Sequence, residues 1–219
     1  MKQNNKYDTS GLVEAQYESG SRNRVLKNLM SIIKKTEMDS MEALALKQAE
    51  EESINTYGAN HRFKTSDICK IHKIWLGNIY PWAGKFRKVN LSKGDFNFAA
   101  AAQIPYLMDK FENEYLLKFT PCNFNDIDKV INAIAIIHVE LILIHPFREG
   151  NGRVARLLST LMALQAGYPP LDFGFIKKEK KEEYFKAVNL GLDRNYLLME
   201  SVFKEVFNQT INNRKDKLL

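Results

Sequence analysis

At 219 residues, 45% hydrophobic and 26% charged, the chain is long enough for one medium domain with a real core, and its composition is neither disordered nor fibrous. Cys69 and Cys122 stand apart with no CxxC or Cys/His ligand spacing, which excludes a disulfide scaffold and a zinc ribbon and suits a reduced, cytoplasmic setting. The net charge of +6 favours polyanionic ligands without separating nucleotides from nucleic acid.

Met1 to Tyr17 is polar, with no apolar core of a signal peptide. Residues 1–23, rich in Asn, Ser, Gly and charge, read as an arm or short cap ahead of a domain over 24–212, with a charged tail at 213–219. Helical periodicity begins near Val25 (Val25, Leu26, Leu29, Ile32, Ile33) and resumes at Met41, Leu44 and Leu46, with Glu50 to Glu52 as a solvated face. Thr65 and Ser66 suit the N-cap of a helix holding Ile68, Ile71, Ile74 and Trp75, with Asp67 in its first turn. The period then changes. Phe86, Val89, Leu91, Phe96 and Phe98 alternate with polar residues around Ser92-Lys93-Gly94-Asp95, a hairpin signal over about 83–98. Helices are expected over about 99–118, 125–144, 152–166, 178–191 and 195–212. The most apolar stretch, Val130 to Ile144, is broken by His138 and Glu140 and is shorter than the ~20 residues of a membrane span. The expectation is a mainly α domain with one hairpin, and no membrane segment.

The segment His145-Pro-Phe-Arg-Glu-Gly-Asn-Gly-Arg-Val-Ala-Arg156 carries the chemistry. Pro146 disfavours helical geometry at His145, so the apolar helix should end there and deliver His145 to the edge of a buried element. Gly150-Asn151-Gly152 leads into the next helix, and Asn151 or a neighbour can cap it. A helix N-terminus after glycines offers unpaired amides and a positive dipole end to an anion. Arg153 and Arg156 share one face of that helix's first turn, where a positive side chain is unfavourable unless an anion binds there. Glu149 beside a polyphosphate makes sense with Mg²⁺ between them. A neutral His145 at the mouth can take a proton from an incoming hydroxyl. The spacing is not that of a Walker A loop, because no Gly-Lys-Ser/Thr follows.

This segment resembles the Fic (filamentation induced by cAMP) family motif, H-P-F-x-[D/E]-G-N-G-R-x-x-R, with every fixed position filled. Ile79-Tyr-Pro-Trp-Ala-Gly-Lys-Phe-Arg87 and Asn90-Leu-Ser-Lys-Gly94 resemble the approach to the family's flap, so the likeness covers roughly residues 40–207. It implies the Fic-fold helical bundle with a hairpin flap, and transfer of AMP from Mg-ATP to a Tyr, Ser or Thr hydroxyl of a target protein, with auto-modification and reversal as possible side activities. His145 would be the base and Phe147 the buried anchor. Glu149 would hold Mg²⁺, Gly150, Asn151 and Gly152 would form the anion hole, and Arg153 and Arg156 would contact the distal phosphates. Lys88, Val89, Asn90, Leu91, Ser92, Lys93 and Gly94 would align the target by strand addition. Tyr184 and Asn189 fall at the adenine side. Gly152, where the phosphorylating Doc branch has lysine, favours AMP transfer. Another nucleotide or phosphate-linked donor, or a non-catalytic toxin-like interaction module, stays open as an alternative.

Many relatives are restrained by a [S/T]-x-x-x-E-[G/N] helix whose glutamate pairs with the second motif arginine. The chain has two imperfect copies, ending at Glu14 and at Glu205, of which Glu14 is the better candidate. The resemblance leaves equal room for a small antitoxin-like protein that supplies this glutamate. His72 and His138 read as core histidines, and Trp75, Tyr80 and Trp82 as core and flap support. Direct nucleic-acid binding is not expected.

Overall fold

The computed structural model describes residues 11–174, 176 and 180–215. Helix α1 spans Lys35–Thr56 and α2 spans Thr65–Leu76. A two-stranded antiparallel hairpin follows, β1 (Ser92–Lys93) and β2 (Phe96–Asn97), with Lys93 opposite Phe96. Next come α3 (Ile104–Phe111), a π-helical turn (Glu112–Leu116) and the short α4 (Leu117–Phe119). The motif lies between α5 (Ile127–Ile144) and α6 (Asn151–Gln165), and α7 (Lys181–Leu190) and α8 (Leu197–Lys215) complete the bundle.

Helix α5 is the axis. Val130, Ile134, Ile137 and Val139 are fully buried, because the helix is apolar nearly all round and is wrapped by α6, α8 and α3. Each such side chain contributes about 1.5–3 kcal/mol by leaving water. Asp126 starts α5 by accepting the Asp128 amide at 2.9 Å. Burial of α5 on all sides fixes the position of its C-terminal end, and so of His145. Among the described residues, no helix is long and apolar enough to cross a membrane.

The helical run expected from Val25 is not a helix. Arg22, Asn23 and Ser31 have positive φ, and the Asn28 side chain bonds Leu26, Met30 and Ile32 across an irregular segment. Leu29 and Ile33, expected on an apolar face, are exposed. Helix α2 starts at Thr65, one residue before an N-cap there would allow. Its hydroxyl donates to Glu112, while Asp67 accepts the Lys64 amide at 2.9 Å. The paired hairpin is also shorter than 83–98. Its stem bonds to the motif loop instead of to a second strand, as the Arg87 amide donates to the Pro146 carbonyl at 2.8 Å. The helix expected from Ala99 begins at Ile104, after a 3₁₀ turn over Ala101–Gln103 and with proline in its first turn.

Candidate active site

Helix α5 ends in His145, whose φ of 53° and ψ of 58° are left-handed. That conformation costs roughly 1–2 kcal/mol for a residue with a Cβ and persists only where the surroundings impose it. Pro146 excludes a further helical residue, and Arg87 Nε donates to the His145 carbonyl at 2.7 Å. The imidazole Nδ1 lies 3.1 Å from the Ile142 carbonyl, which can only accept, so Nδ1 carries the proton and Nε2 keeps its lone pair. Phe98 stacks on the ring at 3.6 Å between centroids.

Burial pushes the His145 pKa down to about 4, with Arg87 and Lys93 acting the same way against the Ile142 bond and Glu149. The base form therefore persists well below the pH at which an exposed histidine protonates. The acid limb of kcat/KM is expected near pH 4, not near 6.5. A limb in the ordinary histidine range, measured from about pH 3.5 to 8 on folded protein, would show that the imidazole is not held this way.

The loop after His145 is clamped from below. Phe147 is fully buried and stacks on His72 at 3.9 Å. His72 Nδ1 accepts the Gly84 amide at 2.7 Å, so its Nε2–H donates to the Glu149 carbonyl at 3.1 Å. Burial lowers the His72 pKa to about 4 and keeps that tautomer neutral. His72 is buried as a core histidine should be, and from there it ties the flap approach to the Glu149 backbone. Asn151 is the first residue of α6, not its cap. Its amide side chain closes a ring on Phe147, accepting the Phe147 amide and donating to the Phe147 carbonyl at 2.8 Å each. Gly150 is the N-cap, at φ 86°. The backbone amides of Asn151 and Gly152 meet no backbone acceptor among the described residues, as expected for a first helical turn, so they are available to an anion.

One cavity of about 710 Å³ gathers most of the expected residues: His145, Glu149, Gly150, Asn151, Gly152, Arg153 and Arg156, together with Tyr184 and Asn189. Phe185, Val188 and Ile142 add apolar surface to the lining. Tyr184 donates to His138 Nε2 at 2.8 Å, while His138 Nδ1 faces Ser159 Oγ. His138 is the core histidine expected, and it also fixes a wall of the cavity. Glu50 is exposed, as expected of a solvated face, and partial burial raises its carboxyl pKa while Arg156 draws it down.

The flap divides. Leu91, Ser92, Lys93 and Gly94 line the cavity, and the Lys93 ammonium sits 4.2 Å from the Phe185 ring centroid. Lys88, Val89 and Asn90 do not line it and instead form the stem. The Lys88 amide donates to Glu14, the Val89 carbonyl accepts Arg87, and Asn90 Oδ1 accepts the Ala101 amide.

Glu14 is buried but does not face Arg156. Its carboxylate accepts the Lys88 amide at 2.6 Å and its carbonyl accepts Arg148 Nε at 2.8 Å. The pairing expected of a brake is replaced by a brace between flap stem and motif loop. The reason is local: residues 13–15 form a single 3₁₀ turn, too short to carry the carboxylate across to α6. Glu205 pairs with Lys180 at 3.2 Å. Ser10, which opens the candidate brake motif, lies outside the described residues.

Four further residues shape the site without standing out in the sequence as parts of it. Arg87 binds the His145 carbonyl, Phe98 stacks on the imidazole, Trp75 lies under Gly150, and Glu42 pairs with Arg153 at 2.7 Å. The alternation around Phe98 and the apolar register of Trp75 signal burial alone, and α1 offers nothing to mark Glu42.

Residues 62–163 match the model of the Fic/DOC family. Over that stretch the chain is similar to the Fic/DOC family. It is similar to a protein adenylyltransferase Fic of Nematostella vectensis, 34% identical over 60% of this chain and 30% of the relative, and to one of Caenorhabditis briggsae, 32% identical over 60% of this chain and 25% of the relative. The matched region is thus about a third or less of those proteins' length. The Fic fold is confirmed by solved structures. BepC of Bartonella tribocorum with bound AMPPNP superposes with a TM-score of 0.71 at 19% identity, covering 90% of this chain and 97% of that one. A Fic domain from Bartonella quintana with bound ADP gives 0.68 at 22% identity, covering 88% and 94%.

For a divalent cation, Glu149 is the one carboxylate lining the main cavity among the described residues, and its side chain is 45% exposed. No cluster of three or more His, Cys, Asp or Glu able to hold a metal occurs among the described residues. A single exposed carboxylate beside a phosphate site fits Mg²⁺, which keeps several waters and takes one or two carboxylates together with substrate phosphates.

Proposed function

We propose that this chain is a protein adenylyltransferase that transfers AMP from Mg-ATP to a Tyr, Ser or Thr hydroxyl of a target protein. The observation that carries the reading is the orientation of His145, with Nδ1 committed to the Ile142 carbonyl and Nε2 free, in the same cavity as the open N-terminus of α6 and both motif arginines. The adenylyltransferase names of the curated relatives support it. Asn151 and Gly152 amides with Arg153 and Arg156 hold the phosphates, and the apolar lining with Tyr184 and Asn189 takes the base. The target lies along Leu91 to Gly94. His145 Nε2 takes the hydroxyl proton as the oxygen bonds to the α-phosphorus, and the bond to the bridging oxygen breaks to release pyrophosphate. Bound on Glu149, Mg²⁺ supplies charge neutralisation for the leaving phosphates.

Restraint is assigned to a separate antitoxin-like protein, because the Glu14 carboxylate is already engaged at the flap stem. The two free cysteines suit a cytoplasmic setting.

The test is incubation of wild type and His145→Ala with ATP labelled on the α-phosphate, Mg²⁺ and cell lysate. Loss of transfer by more than about 100-fold with nucleotide binding retained is expected, in the range for removal of a general base. Label transfer that survives the substitution would sink the mechanism. Glu14→Gly in the same assay separates the two restraints: a marked rise in auto-modification would return the brake to this chain.

A further inference from the structure

Glu42 has no place in the mechanism above, yet it is 3% exposed and ionisable, on a helix that supplies none of the described lining of the main cavity. A carboxylate this deep must be paired. Each of its oxygens has one donor: Oε2 takes Arg153 Nη1 at 2.7 Å and Oε1 takes the Tyr80 hydroxyl at 2.8 Å. Its own carbonyl accepts Trp75 Nε1 at 2.9 Å. Trp75 in turn carries the Arg153 guanidinium over its ring at 4.4 Å. Glu42 thus fixes the arginine twice, directly and through the platform beneath it.

The third partner of Arg153 is Glu149, at 3.1 Å from Nη2. This contact differs in kind from the Glu42 pair. Glu149 is half-exposed and is the carboxylate that would face the metal, so its bond to Arg153 is the one to be exchanged when Mg-ATP enters. A guanidinium has five N–H donors, and these two acceptors leave most of the fork unused among the described residues. The same geometry shows what loss of Glu42 would do. Among the described residues, Glu149 would be the only carboxylate left paired with Arg153, and a bidentate arginine–carboxylate pair is the preferred arrangement when both are free. The arginine would then close on the residue that has to hold the metal. Glu42 also offsets charge, since the Arg156 pKa, lowered chiefly by burial, is lowered further by Arg153.

We propose that Glu42 is a positioning residue that holds Arg153 toward the distal phosphates and keeps it from capturing Glu149. The role rests on the reading of Arg153 as a distal-phosphate contact, and the experiment separates the two. Binding of AMPPNP and of AMP is measured by calorimetry, with Mg²⁺ and in EDTA, for wild type, Glu42→Gln, Arg153→Gln and the double variant, alongside thermal unfolding. Glu42→Gln is expected to weaken AMPPNP about tenfold, the size of one charge-assisted hydrogen bond, and to leave AMP within about twofold. In the Arg153→Gln background the same change is expected to cost nothing further, because both act through one group. Equal weakening of AMP and AMPPNP, or a full Glu42→Gln effect without Arg153, overturns the proposal, since a merely structural residue would lower the unfolding temperature without moving that ratio. Loss of AMPPNP affinity in Arg153→Gln with Glu42→Gln unaffected removes the Glu42 role alone. Unchanged affinity in Arg153→Gln removes the phosphate reading beneath it. Should Glu42→Gln fail to fold, Tyr80→Phe removes one bond and keeps the charge. A smaller loss confined to AMPPNP is expected from it, and none at all overturns the role.

Discussion

Arg87→Met is expected to lower stability by about 4 kcal/mol and to remove nearly all transferase activity from whatever protein remains folded. The guanidinium is 1% exposed and meets carbonyls instead of a carboxylate partner. Nε donates to His145, Nη1 to Val89 at 2.6 Å, and Nη2 to Ala99 at 2.6 Å and, at 3.5 Å, to Ile144. Two of these acceptors end α5, where the helix dipole is negative, which is why a buried cation is tolerated there. Burial draws its pKa down, and Glu14 opposes that. Methionine fills much of the volume but strands several buried acceptors, each costing about 1–3 kcal/mol. It also frees His145 from the bond that holds its left-handed backbone. Arg87→Lys separates the two effects, because a lysine keeps the charge but cannot reach both the flap stem and α5 together. It is expected to retain most of the stability and lose at least about tenfold in kcat, the order of loss when a base is misplaced by about an ångström. Urea unfolding with single-turnover kinetics checks both, and a folded Arg87→Lys variant with wild-type kcat would remove Arg87 from the positioning of the base.

The residues contiguous in the chain are readable because their chemistry is local. Pro146 forces the end of α5, the glycines open the turn into α6, and the two arginines share a face by helical spacing alone. The main helices are legible from periodicity, α5 above all. The Val25–Ile33 stretch reads wrongly as a helix because its apolar residues recur at helical intervals, whereas Asn28 and three positive-φ residues dictate an irregular path that spacing cannot show. The hairpin signal overextends for a related reason. Alternation reports which residues are buried, and those of the stem are buried against the motif loop, not in a sheet. Glu42, Trp75, Arg87 and Phe98 reach the site from 47 to 111 positions away or through a flap, so only tertiary packing brings them there. Glu14 shows the limit most directly. Its sequence neighbours resemble a brake, while its position at the Lys88 amide makes it a brace.

Gly150→Ala is expected to abolish nucleotide binding and to cost about 3 kcal/mol or more, although it adds a single methyl group. Two effects combine. At φ 86° an L-residue is strained, and the added Cβ would lie 2.4 Å from Trp75 Cζ3 and 2.7 Å from Cη2, inside any real contact distance. The indole cannot yield: it is 1% exposed, its Nε1 is tied to the Glu42 carbonyl, and Arg153 covers its face. The loop must move instead, and with it the Asn151 and Gly152 amides proposed to hold the phosphates. Gly152→Ala is the control. Its Cβ would approach only the Arg156 guanidinium, with Nη1 at 3.7 Å, and its φ is not positive, so the fold should accept it and gain roughly 0.5–1 kcal/mol of helix propensity. Trp75→Leu in the Gly150→Ala background should restore part of the stability by making room, but not the affinity, because the left-handed strain and the missing arginine platform remain. Thermal unfolding and AMPPNP calorimetry on these variants decide the matter. Wild-type affinity in Gly150→Ala would mean that the phosphate site does not depend on this turn, and that the free amides at the start of α6 are not what holds the nucleotide.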